Sequence, residues 1–131
     1  MSNKTVFSKM VDGTLQVPFI SETENTFTIL DKNPLTNGHC LVITKEQIDH
    51  LDDCSDELYQ EVFKEVHKLS RMMKLKLKPK RIGIVVHGFE IPHAHIHVVP
   101  LYTGKELQLA AKEREKLEDI DNTTLFELLT L

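Results

Sequence analysis

The chain has 131 residues, with 16 Lys plus Arg against 20 Asp plus Glu and a formal charge of -4. That length predicts one domain around one core and leaves no room for separate substrate and cofactor modules. Hydrophobic residues at 40% and charged residues at 27% exclude a largely disordered chain. The acidic balance excludes a global positive field toward nucleic acid or anionic lipid, so any phosphate site must be local. Cys40 and Cys54, the only cysteines, are too few for a disulfide scaffold or a four-thiolate metal site and predict a reducing compartment, the cytoplasm. No apolar signal core follows the opening Met-Ser-Asn-Lys-Thr and no apolar run reaches the length of a bilayer span, so neither secretion nor membrane insertion is expected.

In chain order, Val17 to Ile20 and Thr26 to Leu30 read as short strands joined by the polar turn Ser21 to Asn25. The stretch Asp31 to Gly38 is dense in turn residues, and after His39 the run Cys40-Leu41-Val42-Ile43 reads as a third, well-buried strand. Ser55 is an N-cap, Asp56 and Glu57 suit the first turn, and apolar residues recur at Leu58, Val62, Val66, Leu69 and Met73. This spacing predicts an amphipathic helix ending before Pro79. Lys74, Lys76 and Lys78 near its end complement the helix dipole as a solvated terminus. Ile82 to Val86 and Ala94 to Pro100 read as the fourth and fifth strands, Lys105 to Glu118 as a helix, and Leu125 to Leu131 as a short apolar tail. The order of elements predicts an α+β fold with a five-stranded antiparallel sheet, one long helix and a C-terminal helix.

The chemistry concentrates in Pro92-His93-Ala94-His95-Ile96-His97-Val98-Val99-Pro100. On a strand, alternate side chains share a face, which predicts a row of three imidazoles about 7 Å apart at each step with Ala94, Ile96 and Val98 turned into the core. Near neutral pH imidazoles can serve as nucleophile, proton donor or hydrogen-bond donor to phosphate, and a row can divide those tasks. A metal site is the rival reading, because alternate histidines on a strand present ligands to zinc and His87 or Glu90 could complete the set. His50 and His67 belong to no motif, and neither cysteine has an activating neighbour in sequence, so both pairs read as surface or packing residues.

Two segments together, His93-Ala94-His95-Ile96-His97-Val98-Val99 and Asp31-Lys32-Asn33-Pro34 through Gly38-His39-Cys40-Leu41-Val42-Ile43, resemble the histidine triad (HIT) family of nucleotide hydrolases and transferases. The resemblance spans about residues 5 to 103, leaving 104 to 131 as a C-terminal helical extension of a single domain covering 1 to 131. It implies that His95 attacks the α-phosphorus of a purine nucleotide to form a nucleotidyl-histidine intermediate. It further implies that His97 contacts the phosphoryl group, that His93 and His39 orient and polarise the cluster, and that Asp31 bonds the ribose hydroxyls. Phe7, Met10, Leu15 and Ile29 are candidates for an apolar slot around the purine, and a homodimer is implied as well.

Departures from the family pattern carry their own expectations. Thr5 and Ser8 stand where many members have zinc-binding cysteines, and Gln47 where a zinc-ligand histidine is placed, so no metal and no other cofactor is expected here. Before the triad, where the family has an Asn and a neutral polar residue, this chain offers His87 and Glu90. A carboxylate at Glu90 would repel an anionic leaving group and attract an ammonium, which favours phosphoramidates over dinucleoside polyphosphates. Dinucleoside polyphosphate hydrolysis, nucleotide binding without turnover, and zinc-dependent hydrolysis remain the alternatives.

Overall fold

The computed structural model describes residues 3–108 and 121–130. In chain order its elements are α1 (Val6–Val11), β1 (Ser21–Glu22), β2 (Thr26–Leu30), β3 (Cys40–Thr44), α2 (Asp56–Leu77), β4 (Arg81–Val85), β5 (His95–Leu101) and α3 (Asn122–Leu129), with a 3₁₀ turn at Leu51–Asp53. The fold is α+β, and the strands form one sheet in the order β1-β2-β3-β5-β4 with every pair antiparallel. Strand β5 is inserted between β3 and β4, so both of its backbone edges are hydrogen-bonded.

Helix α2 begins where Ser55 Oγ accepts the Leu58 N–H at 3.2 Å. It ends where Lys78 turns left-handed at φ 53°, because Pro79 disfavours the helical region for the residue before it. Its stripe of Val62, Val66, Leu69 and Met73 packs on Cys40 and Val42 of β3 and on Ile96 and Val98 of β5. Full burial of such a side chain contributes roughly 1.5–3 kcal/mol. On the other face of the sheet, Leu41 and Ile43 join Phe27, Ile29 and Phe7 in a second cluster. Both faces of β3 are therefore covered, which is why Cys40-Leu41-Val42-Ile43 is apolar without alternation. The Cys40 thiol, pushed up to about 11 by burial, is a packing group rather than a reactive one.

The first strand needs correction, and one helix goes beyond what the sequence predicts. The first hairpin strand is Ser21–Glu22, not Val17 to Ile20; Val17 and Phe19 are core-packing residues outside the ladder, and the turn shortens to Thr23 to Asn25. Helix α1 is not predicted by the sequence pattern, because its six residues are too few to display a period. Its signal is the N-cap: Thr5 Oγ1 accepts the Ser8 N–H at 3.1 Å. The expected helix at Lys105 to Glu118 falls mostly outside the described residues, and those of its first turn that are described form a turn, while the apolar tail is carried by α3.

Gly38 has φ +99°, a conformation that L side chains rarely adopt, and a Cβ there would collide with Leu77 at the end of α2. This reversal delivers His39 to the start of β3. Gly38→Ala is expected to destabilise the protein by about 1–2 kcal/mol, read as a lower urea midpoint at unchanged slope; a wild-type midpoint would contradict the strain.

Candidate functional site

The strand period places the site. Within the ladder, His97 is opposite Leu41 and His95 opposite Ile43, so both imidazoles share the sheet face of Leu41 and Ile43, away from α2. Ile29 pairs with Leu41, and two residues on from Ile29 is Asp31, whose N–H donates to the His39 carbonyl at 2.9 Å and extends the pairing. His39, two residues before Leu41, has the same parity. Four residues from three strands or strand ends thus converge on one face.

A cleft of roughly 470 Å³ opens there, with Asp31, His39, His95, His97, His87 and Glu90 in its wall. Leu35, Val85, Val99 and Leu107 supply apolar surface, and no local sequence signal marks them as wall residues, because they are brought together only by the sheet and by the turn after β5. Leu107 follows Glu106, whose carboxylate gathers the N–H groups of Tyr102, Thr103 and Gly104 in that turn. Phe7 and Ile29 are core residues, Met10 packs against the same core, and Leu15 is 40% exposed. None of these four is in the wall of the described cleft.

Hydrogen bonding assigns the tautomers. His95 Nδ1 lies 2.6 Å from the His93 carbonyl; the carbonyl only accepts, so Nδ1 carries the proton and Nε2 keeps a free lone pair. His39 Nδ1 accepts the Leu35 N–H at 3.0 Å, which puts its proton on Nε2. That N–H faces His97 Nδ1 at 3.0 Å and Asp31 Oδ2 at 3.3 Å. His97 therefore accepts at Nδ1 and holds its proton on Nε2, a donor available to the cleft. Asp31 Oδ1 meanwhile accepts the Asn33 N–H at 2.8 Å.

His93 departs from the expected row. It precedes β5, is 0% exposed, and is absent from the cleft wall. Its Nε2–H donates to the Thr44 carbonyl at 2.6 Å, and Nδ1 accepts the Thr5 hydroxyl at 2.7 Å. The row in the cleft is instead His95, His97 and His39, with the His95 and His97 rings 5.2 Å apart and His39 and His97 also 5.2 Å apart.

Burial pushes the His39 and His93 imidazoles below their ordinary range. His97 is lowered to about 4, first by burial, then by the neighbouring His95 and His39, against the opposing pull of Asp31 and Glu90. These three rings are neutral at pH 7, so their donors and acceptors are fixed as assigned.

Asp31, His39 and His97 bring one ligand atom each within 4.8 Å of one another. The geometry nonetheless opposes a metal, because the Leu35 amide occupies the His39 Nδ1 lone pair and leaves Nε2 protonated, and a neutral imidazole ligates only through an unprotonated nitrogen.

Comparison with known proteins agrees with this architecture. Residues 14–104 match the HIT domain. The chain belongs to the HIT family. An uncharacterised HIT-like protein of Methanocaldococcus jannaschii is 30% identical over 129 residues, 95% of each chain. An adenosine 5'-monophosphoramidase of Schizosaccharomyces pombe is 28% identical over 101 residues, 72% of each chain. The crystal structure of a HIT family protein from Bacillus subtilis superimposes with a TM-score of 0.80 at 24% identity, covering 98% of this chain and 94% of that one.

The zinc that the resemblance associates with other HIT proteins does not fit here. Thr5, Ser8, Gln47 and His93 do meet in space, but as a hydrogen-bonded set. Gln47 Oε1 accepts the Thr5 N–H at 2.9 Å and the Ser8 hydroxyl at 2.7 Å, while the Thr5 hydroxyl occupies His93 Nδ1. Neutral hydroxyls and an amide are poor substitutes for thiolate and imidazole ligands.

The depressed imidazoles make stability fall on acidification. Below the ordinary value of 6.5, unfolded chains bind protons that folded His97 refuses until about 4. More protons are then bound unfolded than folded, and stability rises with pH across that window. The urea midpoint is expected to drop between about pH 7 and about pH 5, with a shallower drop in His97→Asn; an unchanged slope in that variant would remove His97 as a source.

Proposed function

We propose that this protein cleaves a purine nucleotide conjugate at its α-phosphate, transferring the nucleoside monophosphate first to His95 and then to water, with phosphoramidates as the favoured substrates. The observation that carries the reading is the His95 ring itself, whose Nδ1–H is committed to the His93 carbonyl at 2.6 Å while the other nitrogen is left with a free lone pair in a ring on the cleft wall. Attack by Nε2 forms the N–P bond as the bond to the leaving amine breaks, and the amine takes a proton from solvent. The ring becomes cationic, and the His93 carbonyl is already aimed at the N–H that shares this charge. Water then cleaves the N–P bond and restores the imidazole, so one difficult displacement becomes two easier ones.

The other rings serve this step without changing protonation. Neutral His97 offers its Nε2–H to a phosphoryl oxygen, and the bonds from Leu35 to His39 and from His39 to His97 hold that donor in place. Asp31, on the same wall, retains lone pairs for ribose hydroxyls, and Leu35, Val85 and Val99 give the nucleoside apolar contact. His87, also in the cleft wall, is a further nucleotide contact in this reading. The homodimer belongs to the same reading, supported by β4, an edge strand with Ile84 half exposed on it and Val86 half exposed just beyond it. No helix among the described residues is long and apolar enough to cross a membrane.

Two observations favour phosphoramidates over dinucleoside polyphosphates. One is the activity for which the Schizosaccharomyces pombe relative is named. The other is Glu90, whose carboxylate stands in the cleft wall and acts electrostatically on His97. A carboxylate there opposes a leaving group of like charge and attracts an amine.

His95→Ala is expected to lower turnover by on the order of a thousandfold or more and to abolish the covalent adduct seen by mass spectrometry, while nucleoside monophosphate binding survives. A near wild-type rate would end the covalent mechanism. Glu90→Ser is expected to raise kcat/KM for an anionic leaving group relative to a cationic amine by about threefold to tenfold, the pair interaction being discounted for exposure. Equal changes for both substrates would leave Glu90 a solvent-facing residue without a part in selectivity.

A further inference from the structure

The cluster of Thr5, Ser8 and Gln47 does more than close the N-terminal segment onto the sheet. We propose that it is a positioning device for the His95 ring, acting through His93, with the Thr5 hydroxyl as the residue that transmits the constraint. This rests on the reading of His95 as the nucleophile.

The connection can be followed atom by atom. The Gln47 side chain clamps the start of α1: its Oε1 accepts from the Thr5 N–H at 2.9 Å and the Ser8 hydroxyl at 2.7 Å, and its Nε2–H donates to the Asn3 carbonyl at 2.9 Å. Thr5 is thereby held with its hydroxyl, which accepts the Ser8 N–H at 3.1 Å, directed at His93 Nδ1 at 2.7 Å. The opposite nitrogen of His93 is fixed on the Thr44 carbonyl at 2.6 Å, and its main-chain N–H on the Ile91 carbonyl at 2.8 Å. With side chain and main-chain amide all held, one polar atom of His93 remains, its carbonyl oxygen, and that atom receives the His95 Nδ1–H at 2.6 Å. Phe7 of α1 adds a steric constraint, with its ring centroid 5.5 Å from that of His93 and 5.1 Å from that of His95.

The geometry gives the cluster a consequence that plain packing lacks. The orientation of the His93 carbonyl decides which nitrogen of His95 carries the proton. A turned carbonyl lets the proton pass to Nε2 and removes the lone pair required for attack. Thr5→Val keeps the size of the side chain and removes the hydroxyl, and with it both the bond to His93 and the cap on the Ser8 N–H; the tautomer of His95 separates the two roles.

The expected result for Thr5→Val is a fall in kcat of about tenfold to a hundredfold, the scale of loss that a small misplacement of a reacting group produces, with KM for the nucleotide conjugate within about twofold of wild type. Long-range ¹H–¹⁵N spectra should show His95 changing from the Nδ1–H form to a mixture of tautomers. Thr5→Ser should restore both. Should Thr5→Val fail to fold, Gln47→Leu is read the same way, with a change in the same direction. The spectra need no substrate, so an inactive wild-type protein with a Thr5-dependent His95 tautomer would refute the phosphoramidate reading and leave the positioning role standing. Wild-type kcat and an unchanged His95 tautomer in the folded variant, whatever its melting temperature, would overturn the proposal.

Discussion

The alternation of side chains along β5 is the constraint on which fold and site both depend. Ile96 and Val98 point to α2 and fill the core with Val62, Val66 and Leu69, while His95 and His97 point the other way, to the cleft. A shift of one residue in register would bury two imidazoles under α2 and expose two aliphatic side chains. Pairing on both edges, to β3 and to β4, and the helix crossing that allows it make that shift costly. The same alternation in β2 and β3 carries Asp31 and His39 to the cleft face, so the site is a property of the register of three strands rather than of a loop.

Packing several imidazoles at this density is possible because most of them are uncharged. His39, His93 and His97 are all held below their ordinary range chiefly by burial, and each neutral ring has one donor and one acceptor in a known place. The donors and acceptors then interlock, from the Leu35 amide through His39 to His97, and separately at His93, which accepts from the Thr5 hydroxyl at its ring and from the His95 Nδ1–H at its carbonyl. No described buried side-chain polar atom is left without a partner. A network satisfied this fully fixes one arrangement of protons, whereas a protonated ring within it would reverse a donor and break a link. Asp31 and Glu90 sit on the cleft wall with the rings, and they oppose the lowering of His97 without overcoming it.

The strands and the long helix are legible in the sequence because their signals are local: the period of three and four from Leu58 to Met73, the Ser55 cap, and the strict alternation around His95. The convergence of Asp31, His39, His95 and His97 is legible through the family pattern, and the structure supplies the parity that explains it. His93 shows the limit of periodicity. It has the parity of its neighbours but lies before the strand begins, where the chain bends, and its ring turns into the protein to meet Thr44 and Thr5. Phe7 and Ile29 are not in the wall of the described cleft; Phe7 sits against the His93 and His95 rings, on a short helix that gives no sequence period and whose placement under β2 and β3 is a tertiary fact. Leu107 reaches the cleft only because Glu106 gathers the turn at 102 to 104, an arrangement with no sequence signature beyond a carboxylate near a glycine.

Helix α1 ties these observations together. Six residues cannot hold a helix alone in water, so its order comes from the burial of Phe7 in the second core cluster and from the Thr5 and Gln47 contacts. Those contacts are the same ones that lead to His93. The dependence runs in both directions: the sheet face orders the helix, and the ordered helix backs the histidines on that face. A metal ion would close such a joint with strong, local bonds to charged ligands. Here it is closed by several neutral hydrogen bonds, each with a net contribution of about 0.5–1.5 kcal/mol, of which the one from Thr5 to His93 is buried. The support of the His95 ring is consequently shared between the sheet and α1, and local opening of α1 would release the contacts from Phe7 and Thr5 together.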